Sequence, residues 1–386
     1  MPPAKTGGER FVTRFFSVVR ARKRVSRAGM AEAARTIHLF HHTLARGGGM
    51  ERYAETLVTA FRSLGHPVVF HAHQIDAAQA KAWNVQPAEA PIRKIPRKLR
   101  DYRFFQAVKR DCEAARDDRL EIALWRVPVR GLMVCGGTHR GYLQKAGRRM
   151  GFFDWVQIGL EGKAYLSARR IISHSPLCTR ELVELYKIPG AKIAMLYPPV
   201  DGRFKHPPSA GWSQEERRRL NLPEDRVLFL FPSTGHRRKG LEMISEALEP
   251  LAGQALLLVA GSPPSGKTAR HLKFLGYLEE MTAAYHAADF TILGSYYEPF
   301  GLVGPESLLC GTRLVFEKNI GCLTAVNPGF VTTFDVRNPA SIREAIKDAI
   351  ALARKGEHRF GKQERTLNYD PSPALHAQEL LRLALE

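Results

Sequence analysis

The chain has few cysteines, no long hydrophobic run and a shortage of acids, and each scarcity removes a class of protein. Its five cysteines, Cys112, Cys135, Cys178, Cys310 and Cys322, are odd in number, scattered and free of any C-x-x-C pair. Neither a disulfide framework nor a structural cysteine–zinc site is suggested, and free thiols are expected. No stretch reaches the eighteen or so apolar residues of a membrane-spanning helix, and Arg14 interrupts the N-terminal stretch that a secretory signal would need unbroken. A cytoplasmic location is expected. Acids number 38 against 58 Lys and Arg, and the formal charge of +20 calls for an acidic partner: nucleic acid, anionic lipid or a phosphorylated small molecule. The excess is uneven. Residues 91–110 hold eight bases, one acid and the aromatic pair Phe104 and Phe105, and the first thirty residues are similarly basic.

What is present is a globular composition, 44% hydrophobic and 25% charged, over 386 residues, about twice the length of a typical domain. Two domains, each with its own core, are expected. From Thr36 strands and helices alternate: IHLFHH (37–42), a glycine loop, an amphipathic helix from about Met50 to Leu64, Gly65 and the strand PVVFHAH make a β-α-β unit. Apolar runs IALW (122–125), GLMVC (131–135), RIISHS (170–175) and KIAMLYP (192–198) extend it into a parallel sheet. The Pro- and Gly-rich stretch 198–216 carries no period and reads as a link. Alternation restarts with VLFLFP (227–232), ALLLVA (255–260), FTILG (290–294) and TRLVFE (312–317), between helices near 239–250, 278–287 and 302–310. The expected division is a basic extension over 1–34, Rossmann-like domains over 35–199 and 200–370, and a last helix over 371–386 free to pack anywhere, the first domain included. Two doubly wound α/β domains facing each other leave a cleft at the carboxyl ends of their strands, where ligands of such sheets bind.

The stretch Ser295 to Thr312 reads SYYEPFGLVGPESLLCGT, a strand end followed by a helix beginning near Leu302. Unpaired N–H groups and partial positive charge at a helix start suit a diphosphate or sugar, which makes the amides of Phe300, Gly301, Leu302 and Val303 candidates. Gly301 lets a ligand approach the backbone. Glu298 and Glu306 offer carboxylates to sugar and ribose hydroxyls, through charge-assisted bonds of about 1.5–3 kcal/mol each.

The run Glu298-Pro299-Phe300-Gly301-Leu302 with Glu306 resembles the hallmark of the retaining glycosyltransferases of the GT-B fold, the large Glu-x7-Glu (family 4) group. The resemblance covers nearly the whole chain beyond residue 35. Gly48-Gly49-Met50-Glu51, Leu64-Gly65-His66-Pro67-Val68, Ile172-Ser173-His174-Ser175 and Tyr197-Pro198-Pro199-Val200-Asp201 are similar to further family elements and fall in the family's order. The resemblance implies a nucleotide-sugar donor whose diphosphate is faced by Gly48 and Gly49 and by the basic pair Arg238 and Lys239 ahead of Gly240. It implies His139, in CGGTHRGYL, near the donor sugar and Tyr277 beside the base. The implied catalytic residues are Glu298, His139 and Lys239, with retained anomeric configuration and a leaving phosphate that helps deprotonate the acceptor.

The sequence also departs from the family. Pro305 and Ser307 flank Glu306 where Leu and Ala are usual, and Thr324 in NIGCLTAV stands where a glutamate is common. No Asp-x-Asp triplet occurs, so neither a metal nor another cofactor is expected, and cationic side chains with helix amides must stabilise the departing charge. The basic surface and the stretch Val134 to Phe153 are most similar to lipopolysaccharide-core sugar transferases. That implies a saccharide or glycolipid acceptor and a peripheral position on the anionic cytoplasmic face of the inner membrane. Residues 10–21, with Phe11, Val12, Phe15, Phe16, Val18 and Val19 on one arc, form a candidate second membrane helix, unless translation begins at Met30. Two other functions compete. GSPPSGKT (261–268) matches a phosphate-binding loop but leaves only about four residues before KFLGY, too few for a crossover helix. The basic stretch 91–110 with Tyr102, Phe104 and Phe105 suits single-stranded nucleic acid or anionic lipid, and lipid is favoured, so no nucleic-acid partner is expected.

Overall fold

Short apolar strands with side chains buried on both faces organise this chain. In the computed structural model the described residues are 35–386 apart from 46, 91, 93–95, 116–118, 210 and 264–268. The extension 1–34 with its candidate helix 10–21, and residues 264–268 of the GSPPSGKT loop, lie outside the described residues. The first half of the chain contributes β1 (Ile37–Phe40), β2 (Thr43–Leu44), β3 (Val68–Ala72), β4 (Gln74–Ile75), β5 (Gln86–Glu89), β6 (Leu120–Ala123), β7 (Leu132–Cys135), β8 (Arg170–Ser173) and β9 (Ile193–Met195). Seven of these form one parallel sheet in the order β5-β3-β1-β6-β7-β8-β9, with Ile37 in register with Val68 on one side and Leu120 on the other. The short β2 and β4 pair separately. Alternation along each strand builds two cores. Ile37, Leu39 and Val134 pack with Tyr53, Leu57 and Phe61 on one face, while Phe40, Met133 and Cys135 pack with Phe104, Leu160 and Tyr165 on the other.

The second half contributes β10 (Val227–Ser233), β11 (Ala255–Gly261), β12 (Leu272–Gly276), β13 (Phe290–Leu293), β14 (Arg313–Glu317) and β15 (Val331–Phe334). They form a six-stranded parallel sheet in the order β12-β11-β10-β13-β14-β15. In both sheets the order reverses beside the first strand, the switch point at which doubly wound sheets open a ligand crevice. The architecture is the expected pair of Rossmann-like α/β domains.

Three edge strands were not foreseen. Gln86–Glu89 reads QPAE and is largely exposed, and Leu272–Gly276 and Val331–Phe334 bury only part of their side chains. An edge strand lacks the continuous apolar run that marks a central one. β12 is parallel to β11 although residues 262–271 are too few for a crossover helix, so shortness of the connection did not prevent parallel pairing. The helix Trp212–Arg219 occupies the end of the stretch expected to be an unstructured link.

The basic stretch differs from the expected surface strip. Phe104 and Phe105 lie on the helix Arg97–Ala114 at 1% and 4% exposure and belong to the core, out of reach of a base or a lipid. With Val108 and Cys112 they form one apolar stripe at helical spacing; the surrounding bases hide that stripe in the composition. Only Tyr102 of the three aromatics stays exposed.

The last helix, Pro373–Leu385, packs on the first domain. Ser372 caps it, the Tyr53 hydroxyl pairs with His376 Nε2 at 2.8 Å, and Leu380, Leu383 and Ala384 join the first core. The chain thus crosses between domains twice, and the crossings are tied together: the Val200 amide donates to the Pro371 carbonyl at 2.9 Å and the Tyr369 hydroxyl to that of Pro198 at 3.0 Å. All five cysteines are free and buried. No helix among the described residues is long and apolar enough to cross a membrane.

Candidate functional site

The carboxyl ends of both sheets face one cleft of about 600 Å³. On the first-domain side, Gly47, Gly48 and Gly49 lead from β1 into the helix Gly49–Ser63. A Cβ added at Gly49 would meet nothing within 4 Å, so packing does not demand glycine there and the room beside it belongs to the cleft. On the other side a short helix, His236–Lys239, follows β10 and ends at Gly240, whose φ of +80° and closeness to the Gly294 carbonyl, 2.5 Å from an added Cβ, require glycine. This turn presents Arg238 and Lys239 to the cleft.

The two cations are held differently. Arg238 Nη1 donates to Glu298 Oε2 at 2.7 Å and to the Tyr297 carbonyl at 2.9 Å. Lys239 Nζ donates to the Pro232 carbonyl at 2.9 Å, and burial pushes its pKa below the usual lysine range, opposed by Glu298. Gly301, at φ +89°, turns the chain into the helix Val303–Leu309. The Phe300 side chain is buried in the second core, leaving its backbone to the cleft. Glu306 on that helix is 3% exposed: Tyr285 Oη donates to its Oε2 at 2.8 Å, and Arg52 Nη1 from the first domain lies 3.3 Å from its Oε1. Burial and the Glu306 charge push the Tyr285 phenol well above its usual value, which keeps it a donor.

His139 opens the helix His139–Ala146, capped by Thr138, and its Nε2 is 2.8 Å from Asp154 Oδ1. Arg148 and the Gly151 amide hold the same carboxylate; burial would raise its pKa, but the hydrogen bonds and Arg148 bring it below the usual range. Tyr277 stands on the rim, 58% exposed. All the residues singled out in the sequence, Gly48, Gly49, His139, Arg238, Lys239, Tyr277, Glu298, Phe300, Gly301, Leu302, Val303 and Glu306, line this one cleft.

Several cleft residues escaped the sequence reading. Arg52 is one, and Tyr297 is another. The Tyr297 hydroxyl accepts from the Thr138 amide at 2.8 Å and donates to Glu181 Oε2 at 2.8 Å, clasping the second domain to the first. Pro299 beside it abuts Gly137, where an added Cβ would come within 2.6 Å of its Cγ. Burial raises Glu181, against the hydrogen bonds from Thr138 and Tyr297. His174 also lines the cleft, 3% exposed, and burial lowers its pKa to about 3.

Two Rossmann-like domains with their strand ends turned on a shared cleft define the GT-B glycosyltransferase architecture. Residues 47–203 match the model of glycosyltransferase family 4 and residues 213–367 that of glycosyl transferases group 1. A probable transglycosylase of Burkholderia thailandensis is 39% identical over 355 residues, 91% of this chain and 97% of that protein. The chain belongs to this family of glycosyltransferases and is an enzyme. Among solved structures, WaaG, a glycosyltransferase involved in lipopolysaccharide biosynthesis, aligns over 90% of this chain and 95% of its own at TM-score 0.70 and 15% identity. Anabaena Alr3699/HepE, in complex with UDP and glucose, aligns over 91% and 97% at TM-score 0.65 and 13% identity.

Proposed function

We propose that the enzyme transfers a sugar from a nucleotide diphosphate donor to a hydroxyl of a lipid-linked or cell-surface saccharide, with retained anomeric configuration, in lipopolysaccharide core biosynthesis. The observation that carries this reading is the convergence in one cleft of Arg238, Lys239, Glu298 and Glu306 with the open glycine loop. In it, Glu306 accepts from the ribose hydroxyls and Glu298 from the sugar hydroxyls, while the amides around Gly301 and the two cations stabilise the diphosphate as it leaves. A diphosphate beside Lys239 opposes the effect of burial and favours its charged form. His139, its ring oriented by Asp154, sits at the donor sugar, and Tyr277 at the base. The leaving phosphate helps take the acceptor proton, so no protein nucleophile is required. The charge is carried without a bridging metal or other cofactor. Nucleic acid has no place in this reading.

The membrane contact moves from the basic stretch to another corner of the first domain. Met150, Phe152 and Trp155 are 41%, 75% and 61% exposed, beside the exposed Lys145, Arg148 and Arg149. Aromatic side chains flanked by bases suit an anionic lipid surface, here the cytoplasmic face of the inner membrane. Trp155→Ala with Phe152→Ala is expected to reduce sedimentation with anionic liposomes; unchanged sedimentation would remove this corner from the reading.

A thermal-shift panel of UDP-, GDP- and ADP-sugars tests the donor. A ligand at a hundred times its dissociation constant stabilises by about 2.7 kcal/mol, a readily measured rise. If no nucleotide sugar raises the melting temperature, the donor assignment fails. The product's anomeric configuration by NMR then tests retention.

A further inference from the structure

Beneath the glycine loop, two adjacent histidines and a glutamate converge without a part in the transfer described above. Consecutive residues of an extended strand point to opposite faces. The chain bends at His42, just after β1, and the His41 and His42 rings lie only 4.4 Å apart between centroids. Glu51, in the first turn of the helix Gly49–Ser63, completes the group. One ligand atom from each of the three lies within 4.8 Å of the others.

These rings are arranged as ligands. His41 is fully buried with Nδ1 2.9 Å from the Thr43 carbonyl, so that nitrogen carries the proton and Nε2 keeps its lone pair. Neither His41 Nε2 nor His42 Nδ1 meets a hydrogen-bond partner among the described residues. Leaving a buried polar atom unsatisfied costs about 1–3 kcal/mol. A backbone carbonyl on the opposite ring nitrogen is the usual outer support of a metal-bound histidine. The His42 ring packs on Trp125 at 4.0 Å, and Trp125 is fixed by its Nε1 donating to Asp101 at 3.3 Å.

We propose that His41, His42 and Glu51 bind one divalent ion of the zinc class, with a fourth position left open, and that this ion pins the glycine loop. Two imidazoles and a carboxylate suit zinc and its first-row neighbours; calcium and magnesium take oxygen sets. Tetrahedral bonds of about 2.0–2.2 Å hold ligand atoms roughly 3.3–3.6 Å apart, and the three ligand atoms here lie within 4.8 Å of one another. Binding would draw these atoms together to that spacing. That side chain also underlies the loop: an added Cβ at Gly47 would lie 2.9 Å from its Cγ, and one at Gly48 3.3 Å from its Oε2. Fixing Glu51 therefore fixes a wall of the cleft, away from the cations of the opposite domain.

The test uses the full-length chain without an affinity tag, stripped by a chelator, with Zn(II) alone as the probe. Titration calorimetry is expected to show one saturable equivalent, and zinc to raise the melting temperature. His42→Ala and Glu51→Gln should each weaken zinc affinity by at least the ~10–100-fold that loss of a mere supporting residue produces. His71→Asn, in the neighbouring His38–His71 pair at 2.8 Å, should leave it unchanged. His42→Ala removes a packed ring, so Glu51→Gln is the safer variant: its zinc-free melting temperature should match that of the parent. Cobalt(II) gives an independent readout, with visible d–d bands expected in the parent and altered or lost in Glu51→Gln. The proposal is overturned if the parent takes up no saturable equivalent, if Glu51→Gln binds as tightly, or if His71→Asn weakens binding equally.

Discussion

Arg238 and Lys239 are neighbours in sequence with different freedom. Arg238, its side chain a third exposed and paired with Glu298, can follow a ligand, whereas Lys239 is fixed against the Pro232 carbonyl. Removing one preorganised donor from a developing anion costs about 2.7–4 kcal/mol of barrier. Arg238→Ala and Lys239→Ala are therefore each expected to lower kcat by roughly 10²–10³-fold, measured as release of free nucleotide, with the melting temperature of Arg238→Ala nearly unchanged. Full kcat in Arg238→Ala would remove that cation from the transition state. These two residues and the two glutamates were legible because each pair sits in one contiguous stretch. Arg52 was not: its partner Glu306 lies in the other domain, and nothing near Arg52 in sequence announces a carboxylate. The Thr138–Tyr297 contact spans 159 positions, and no local pattern encodes it.

At the scale of elements, central strands were readable and edges were not, because only the former bury both faces in near-continuous apolar runs. The helix Arg97–Ala114 shows the opposite failure. Its eighteen residues include enough bases to pass for a surface binding strip, yet its apolar stripe supports the sheet. Phe104→Ala should destabilise the protein by about 3–5 kcal/mol, seen in denaturant titration, whereas Tyr102→Ala on the exposed face should cost less than about 0.5 kcal/mol. Similar small effects from both would return the aromatic pair to the surface. The glycine loop is legible as a loop, but the histidines preceding it read as ordinary strand residues. Only the bend at His42 brings their rings together.

For the whole molecule, His174 and His376 tie stability to pH. Burial lowers both to about 3, with His174 adding to the effect on His376. In the unfolded chain each titrates near 6.5, so on acidification the unfolded state takes up protons first. Their full contribution is present above about pH 6.5 and declines as the pH falls toward 3, by about 2 kcal/mol per histidine at pH 5. The melting temperature should be lower at pH 5 than at pH 7, and His376→Gln should narrow the difference. An equal difference in that variant would show that docking of the last helix is not the acid-sensitive step.

That helix has a mechanical consequence. A lone covalent thread between two bodies lets them spin about it as easily as they bend. Here the outgoing and returning threads run side by side, stitched at Val200 to Pro371 and at Tyr369 to Pro198. Such a ribbon flexes across its flat face and resists torsion, as a door on two pins swings in one plane. Parting along that arc would separate Arg52 from Glu306 and Tyr297 from Thr138, and the return swing would bring the same partners together.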